Sequence, residues 1–267
     1  MSASARRELR VAAVEQLGAY VLLHVADADG PAPAPGQFSM LASAERWGGG
    51  EDERPFLPRA FSIARHRDGV STYLLEDVGP GSRRLCELRA GEGLLSLGPL
   101  GRGFSAPPDG RRAILLGGGV GIAPLAILQD ELLTTGERPT VLLGFRDSSR
   151  AVGAELLEGA SVATDDGSVG HSGPVTELLM RSLDDDSHAV VYACGPAGML
   201  EGVRAICAER HVPAQLALEA SMACGFGACY GCVVPARDGR YLRVCLDGPV
   251  IDADALDHVD AHAGAPS

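Results

Sequence analysis

Four cysteines near the end of this chain constrain it more than any other feature. Cys224, Cys229, Cys232 and Cys245 are separated by four, two and twelve residues. Three thiolates spaced C-x4-C-x2-C, with a fourth further on, suit a flat two-iron, two-sulfide rhomb. The close set wraps one side of the rhomb and the fourth thiolate arrives from another strand. Gly225, Gly227 and Gly231 lie between the ligands. A loop folded that tightly needs residues that tolerate positive φ and bring backbone N–H groups close to sulfur. Two other readings stand beside this one. A structural zinc ion also takes four cysteines, but its usual signature holds two C-x2-C pairs and this chain offers one. Disulfides fit poorly with an odd total of seven cysteines and no signal segment ahead of the first strand-like run. Cys86, Cys194 and Cys207 stand alone and read as small core residues.

Charge narrows the classes further. The 267 residues hold 35 Asp and Glu against 23 basic residues, a formal net charge of −12. So acidic a chain repels phosphate backbones, which argues against nucleic-acid binding. Every basic residue is Arg. With no Lys there is no Schiff-base nucleophile and no P-loop lysine. The longest uncharged apolar run, residues 113–128, contains four glycines and Pro124 and makes a poor membrane span. The expectation is a soluble, cytoplasmic protein.

The pattern changes twice along the chain. Residues 9–14, 19–25, 37–41 and 60–64 are short strand-like runs between Gly- and Pro-rich turns, which predicts a small antiparallel barrel over 1–107. Residues 45–58 read as a mobile surface loop. Beyond Pro107-Pro108-Asp109-Gly110, apolar strands at 112–117, 140–145 and 189–194 alternate with helix-like segments at 122–133 and near 174–182. That alternation predicts a parallel sheet with crossovers over 108–213. Residues 214–267 form the cysteine-bearing part, with 252–260 as a solvated acidic end. The seven histidines show no ligand spacing.

Three short segments suit phosphates. Gly117-Gly118-Gly119-Val120-Gly121 joins an apolar strand to a helix, where free N–H groups and a positive dipole end face a pyrophosphate. It departs from G-x-G-x-x-G because Ile122 stands at the third glycine's place. Arg59-Ala60-Phe61-Ser62 offers a guanidinium for a diphosphate, a ring for stacking and a hydroxyl. Gly79-Pro80-Gly81-Ser82 is either another phosphate turn or a plain hairpin turn.

Together these motifs resemble the ferredoxin–NADP reductase superfamily and, within it, the electron-transfer subunits of type B dihydroorotate dehydrogenase. The most specific match is residues 222–234 with 243–250, supported by 98–104 and 194–200. The resemblance implies a multidomain β plus α/β fold: an antiparallel FAD-binding β-barrel, a parallel-sheet NAD-binding domain and a small C-terminal 2Fe–2S domain. It implies that Arg59 binds the FAD pyrophosphate, with Ala60 beside it, Phe61 against the flavin and Ser62 near its N5. Leu74, Leu75 and Glu76 would line the next FAD segment, and Gly81 and Ser82 would hold phosphate oxygens. Gly118, Gly119 and Gly121 would receive the dinucleotide, with Cys194, Gly195 and Pro196 bordering the nicotinamide. Phe61 stands where relatives often have Tyr, and Glu76 where they often have a basic residue.

The three sites are chemically interdependent. NADH delivers electrons as a hydride, a 2Fe–2S cluster takes them singly, and a flavin handles both. No general base is expected. The resemblance implies a separate FMN-containing catalytic subunit that oxidises dihydroorotate, in a 2+2 heterotetramer, with electrons leaving here as NADH. A reductase subunit serving a sulfite reductase, hydrogenase or oxygenase is the alternative. Asp147, just past the second parallel strand, could accept ribose hydroxyls and favour NAD, whereas Arg146 and Arg150 argue for NADP.

Overall fold

The computed structural model describes residues 5–48, 55–108 and 110–259. Six strands close into an antiparallel barrel: β1 (Ala5–Leu17), β2 (Tyr20–Ala26), β3 (Phe38–Ser43), β4 (Arg59–Arg67), β5 (Val70–Leu75) and β6 (Gly93–Leu100), in the order β1-β2-β5-β4-β3-β6. Local chemistry sets the hairpins. Asp68 and Gly69 both take positive φ, 50° and 71°, as the two-residue turn between β4 and β5 requires. β6 alternates strictly, its even-numbered residues 94–100 buried and the others half-buried, as a strand with one face on a core must. Val11, Leu23, Val25, Leu41, Ile63, Tyr73, Leu75 and Leu94 fill the interior.

A seven-stranded sheet follows. It comprises β7 (Arg112–Gly118), β8 (Thr140–Phe145), β9 (Ala160–Thr164), β10 (His171–Ser172), β11 (Ala189–Cys194) and β12 (Ala214–Ala217), which pair in parallel, and a seventh strand near the chain end. Helix α1 (Pro80–Cys86) belongs to the barrel, between β5 and β6. Helices α2 (Ala123–Thr134), α3 (Ser148–Ala151), α4 (Val175–Asp185) and α5 (Ala197–Glu209) connect the parallel strands. The middle strands are apolar throughout, with residues 113–116 and 189–194 buried, because helices cover both faces. The order β10-β9-β8-β7-β11-β12 reverses direction between β7 and β11. In open α/β sheets, ligands bind outside the carboxyl ends of the strands at such a reversal.

The cysteine-bearing segment carries a two-stranded hairpin, β13 (Val233–Pro235) and β14 (Tyr241–Arg243), and a one-turn helix α6 (Val244–Asp247). The chain then returns to the sheet as β15 (Val250–Asp252), antiparallel to β12. The sheet therefore spans residue 214, and residues 218–249 are set between two of its strands. In the acidic end Asp252, Asp254 and Asp257 are exposed, as expected of a solvated segment, while Ala253 and Leu256 are buried and the Val259 N–H donates to Glu201 Oε2 at 2.9 Å, so the segment is also docked. Gly79-Pro80-Gly81-Ser82 is no hairpin turn. It opens α1, with Pro80 in the first turn where its missing N–H costs nothing. The readings of Met1–Ser4, of 49–54 within the expected loop, of Asp109 in the expected linker and of 260–267 lie outside the described residues. Among the described residues no helix is long and apolar enough to cross a membrane.

Candidate functional site

The glycine-rich turn and the 194–196 turn meet at the sheet reversal. Cys194 is in register with Gly117 across β11 and β7. A Cβ on Gly121 would lie 2.5 Å from the Cys194 carbonyl oxygen, and one on Gly118 would lie 2.7 Å from Met199 Sδ and 2.9 Å from Pro196 Cδ. Only hydrogen at both positions lets the turns approach this closely. Gly119, at φ +55°, faces open space. The turn continues through a short 3-10 segment, Gly119–Ile122, into α2, while Pro196 precedes α5. Neither helix carries an acidic residue in its first turn, so both positive ends stand unneutralised beside the crevice. Burial, and then the Glu219 carboxylate, push the Cys194 thiol well above its usual range, so it stays neutral.

On the barrel, Arg59, Ala60, Phe61 and Ser62 are half-buried residues at the start of β4, paired with Leu41, Met40, Ser39 and Phe38 of β3. Arg59 lies across the first turn of α1. A Cβ on Gly81 would come 2.6 Å from Arg59 Nε. The fold thus joins Arg59 to Gly81 and Ser82, though they are far apart in sequence. The Ser82 hydroxyl is engaged locally: it accepts from the Val78 N–H at 2.9 Å and donates to the Gly79 carbonyl at 3.1 Å. Free N–H groups of the first turn are what remain for a phosphate. Leu74 and Leu75 are buried in the hydrophobic clusters on either side of their strand. Glu76 turns away from them to Arg150, which donates from Nε at 2.9 Å.

Asp147 caps α3, with Oδ1 accepting from the Arg150 N–H at 3.1 Å and from the Ser149 hydroxyl at 2.7 Å. Arg150 Nη1 donates to Oδ2 at 2.7 Å. The Ser149 hydroxyl first, and then the Arg150 N–H, bring this carboxyl down to about 2. Arg146, by contrast, is exposed.

The four cysteines come together as two pairs. The Cys224 and Cys229 thiols interact, as do those of Cys232 and Cys245. Backbone N–H groups point at the sulfurs: Gly227 to Cys245 Sγ at 3.1 Å, Cys245 to Cys232 Sγ at 3.4 Å and Gly231 to Cys229 Sγ at 3.5 Å. Burial raises the Cys224 thiol, but the Cys229 and Phe226 N–H groups outweigh it and bring the thiol to about 6. Burial and the neighbouring Cys232 hold Cys245 at about 12. Among the described residues no three His, Cys, Asp or Glu side chains close on one point as a single metal ion requires. A dinuclear rhomb asks for something else, a pair of thiolates at each iron, and an all-sulfur donor set ringed by N–H groups fits it.

Gly225 connects this loop to the barrel. It sits at φ +79°, and a Cβ there would fall 2.4 Å from Met40 Cγ and 3.2 Å from Leu100 Cδ1. Met40 pairs with Ala60, so the cysteine loop presses on the strand beside the Arg59–Ser62 segment. No motif marks Met40. Its place follows from the β3–β4 pairing alone.

Residues 219–257 match the model of the iron–sulfur cluster binding domain of dihydroorotate dehydrogenase B. The dihydroorotate dehydrogenase B (NAD(+)) electron transfer subunit of Bacillus caldolyticus is 39% identical over 234 residues, 82% of this chain and 85% of that one. The same subunit of Desulforamulus reducens is 37% identical over 225 residues, 81% of this chain and 84% of that one. Among solved structures, an NADH-dependent reduced ferredoxin-NADP oxidoreductase studied for flavin-based electron bifurcation superposes with a TM-score of 0.81 at 24% identity, covering 97% of this chain and 92% of that chain. At that identity the likeness speaks for the fold. Identity above a third across four fifths of both chains says more: the chain belongs to the dihydroorotate dehydrogenase B electron transfer subunit family.

Proposed function

We propose that this electron-transfer subunit of pyrimidine biosynthesis passes electrons from an FMN-containing catalytic partner, through a 2Fe–2S cluster and FAD, to NAD⁺. Cys224 and Cys229 hold one iron, Cys232 and Cys245 the other. Arg59 with the first turn of α1 at Gly81 and Ser82 takes the FAD diphosphate, and Ala60, Phe61 and Ser62 border its ring. Gly118, Gly119 and Gly121 receive the dinucleotide diphosphate, while Cys194, Gly195 and Pro196 border the nicotinamide. When bound, FAD exchanges electrons singly with an iron–sulfur centre and in pairs with a nicotinamide. The chain's own residues bind, orient and exclude water. Cys194 stays a neutral thiol and repels no hydride. In this reading the barrel serves as the flavin part, the seven-stranded sheet with its helices as the dinucleotide part and the inserted residues 218–249 as the cluster part, two copies pairing with two catalytic subunits.

One observation carries this reading: two thiol pairs on a loop that rests against Met40, directly across from Ala60. The test is analysis of anaerobically purified complex. The reading expects about two irons and two acid-labile sulfides per copy of this chain, with one FAD. A colourless preparation with one zinc and no flavin overturns it.

A further inference from the structure

Hydride transfer demands that the donor and acceptor atoms sit about 3–3.5 Å apart, and misplacement by about 1 Å costs roughly a hundredfold. In the reading above, the flavin lies on the barrel and the dinucleotide on the sheet. Their separation is therefore set by how the two parts dock, not by either part alone. Arg150 occupies the place where that docking meets both ligand segments. Its Nε and Nη2 reach Glu76 Oε1 at 2.9 and 2.8 Å, and its Nη1 reaches Asp147 Oδ2 at 2.7 Å. Glu76 directly follows Leu74 and Leu75 on the flavin side. Asp147 stands two residues past the end of β8 on the dinucleotide side. The side chains of the trio are 20–28% exposed, and the one guanidinium meets both carboxylates at once.

Packing around the trio points the same way. The Ala19 N–H, in the β1–β2 turn, donates to the Ser149 carbonyl at 3.1 Å. Gly18, at φ +58°, lies so close that a Cβ would be 2.3 Å from that carbonyl oxygen. Tyr20 is fully buried, and its ring lies 2.8 Å from where a Cβ on Gly153 would stand. Ile122 Cδ1 would lie 3.2 Å from that same Cβ, and Ile122 Cγ2 would lie 2.9 Å from a Cβ on Gly117. Barrel hairpin, α3 and glycine turn thus form one continuous contact. Arg65 bridges the same two parts through Asp130 at 3.0 Å and the Leu156 carbonyl at 2.7 Å, but from the far end of β4, away from both ligand segments.

We propose that Arg150 is a positioning residue for hydride transfer: by binding Glu76 and Asp147 together it fixes the dinucleotide turn against the flavin-bearing edge of the barrel. The proposal rests on the placement of FAD and NAD given above.

The test uses the complex with its catalytic partner and four variants, Arg150→Met, Glu76→Gln, the double variant, and Arg65→Met. NADH is titrated anaerobically while the long-wavelength band of stacked nicotinamide and flavin is recorded. Hydrogen exchange of the Ala19 amide is measured on the same samples, and NADH-driven ferricyanide reduction gives kcat and KM. Arg150→Met is expected to keep its flavin, lose most of the band, expose the Ala19 amide and lower kcat by more than about tenfold. Glu76→Gln should do the same, and the double variant should be no worse than Arg150→Met, because each breaks the single bridge that runs from Glu76 through Arg150 to Asp147. Arg65→Met should lower the melting temperature and leave the band intact. An undiminished band in Arg150→Met, or an equal loss in Arg65→Met, overturns the proposal. A wild-type complex that binds flavin but shows no band with NADH overturns it together with the placement of the dinucleotide.

Discussion

Gly225 shows how much one missing methyl can decide. Its φ of +79° already penalises any L side chain, and Met40 Cγ lies 2.4 Å from where the Cβ would go. Left-handed backbone alone costs about 1–2 kcal/mol, and the clash adds to it. Gly225→Ala should therefore lower the melting temperature and lift the cysteine loop off the barrel. Met40→Ala in the same chain should recover part of the loss by making room. If the single variant melts like the wild type, Gly225 does not hold the loop down. Cys207 gives a second test at this scale, one of sign. Burial raises its thiol from 9 to about 12, so between those values the folded chain holds a proton that the unfolded chain has lost. Its stabilising share is complete below pH 9 and drains away as pH climbs toward 12. Cys207→Ala should start less stable in urea at neutral pH. The gap to wild type should narrow above pH 9, by no more than about 1.4 kcal/mol per pH unit. Parallel curves through that range would count against it.

At the scale of elements, function depends on turns that touch. The glycine turn after β7 and the 194–196 turn after β11 come from strands far apart in sequence and meet at Gly121, where a Cβ would lie 2.5 Å from the Cys194 carbonyl. Gly121→Ala should pry them apart, raising the KM for NADH more than about tenfold while FAD content stays unchanged. Loss of FAD instead would place the glycine turn on the flavin side. Much of this level was legible in the sequence. The cysteine spacing, the apolar strands 112–117 and 189–194 and the glycine turn are local signals written in consecutive residues. What escaped was pairwise and distant. Nothing in Val250-Ile251-Asp252 announces that it returns to pair with β12, because three residues carry too little pattern and the partner strand lies more than thirty residues back. Asp147 and Arg150 read as competing signals for the ribose while each was considered alone. Arg150 binds both Asp147 and Glu76, so the two signals are partners and not rivals. Ser82 carried the right residue type, and its own turn claims the hydroxyl.

The whole molecule is wired so that the cysteine segment is no appendage. Residues 218–249 leave the sheet at the end of β12 and come back as β15, its antiparallel neighbour. The Leu218 N–H donates to the Pro249 carbonyl at 2.9 Å and closes the neck of the insertion. Inside it, Cys232, Val234, Val244 and Cys245 share one hydrophobic cluster with Met40 of the barrel and Leu216 and Ile251 of the sheet. Metal bound to the thiols therefore stabilises a core common to all three parts, since a ligand that binds the folded state alone shifts the whole folding equilibrium. Stripping iron anaerobically with a chelator should accelerate hydrogen exchange in β12 and β15 as well as in the loop, and β6 near Leu100 should follow. The barrel hairpin at Asp68–Gly69, remote from that core, should keep its protection. Exchange that rises only within 219–247 would mean the insertion unfolds by itself, and that the neck rather than the shared core joins it to the sheet.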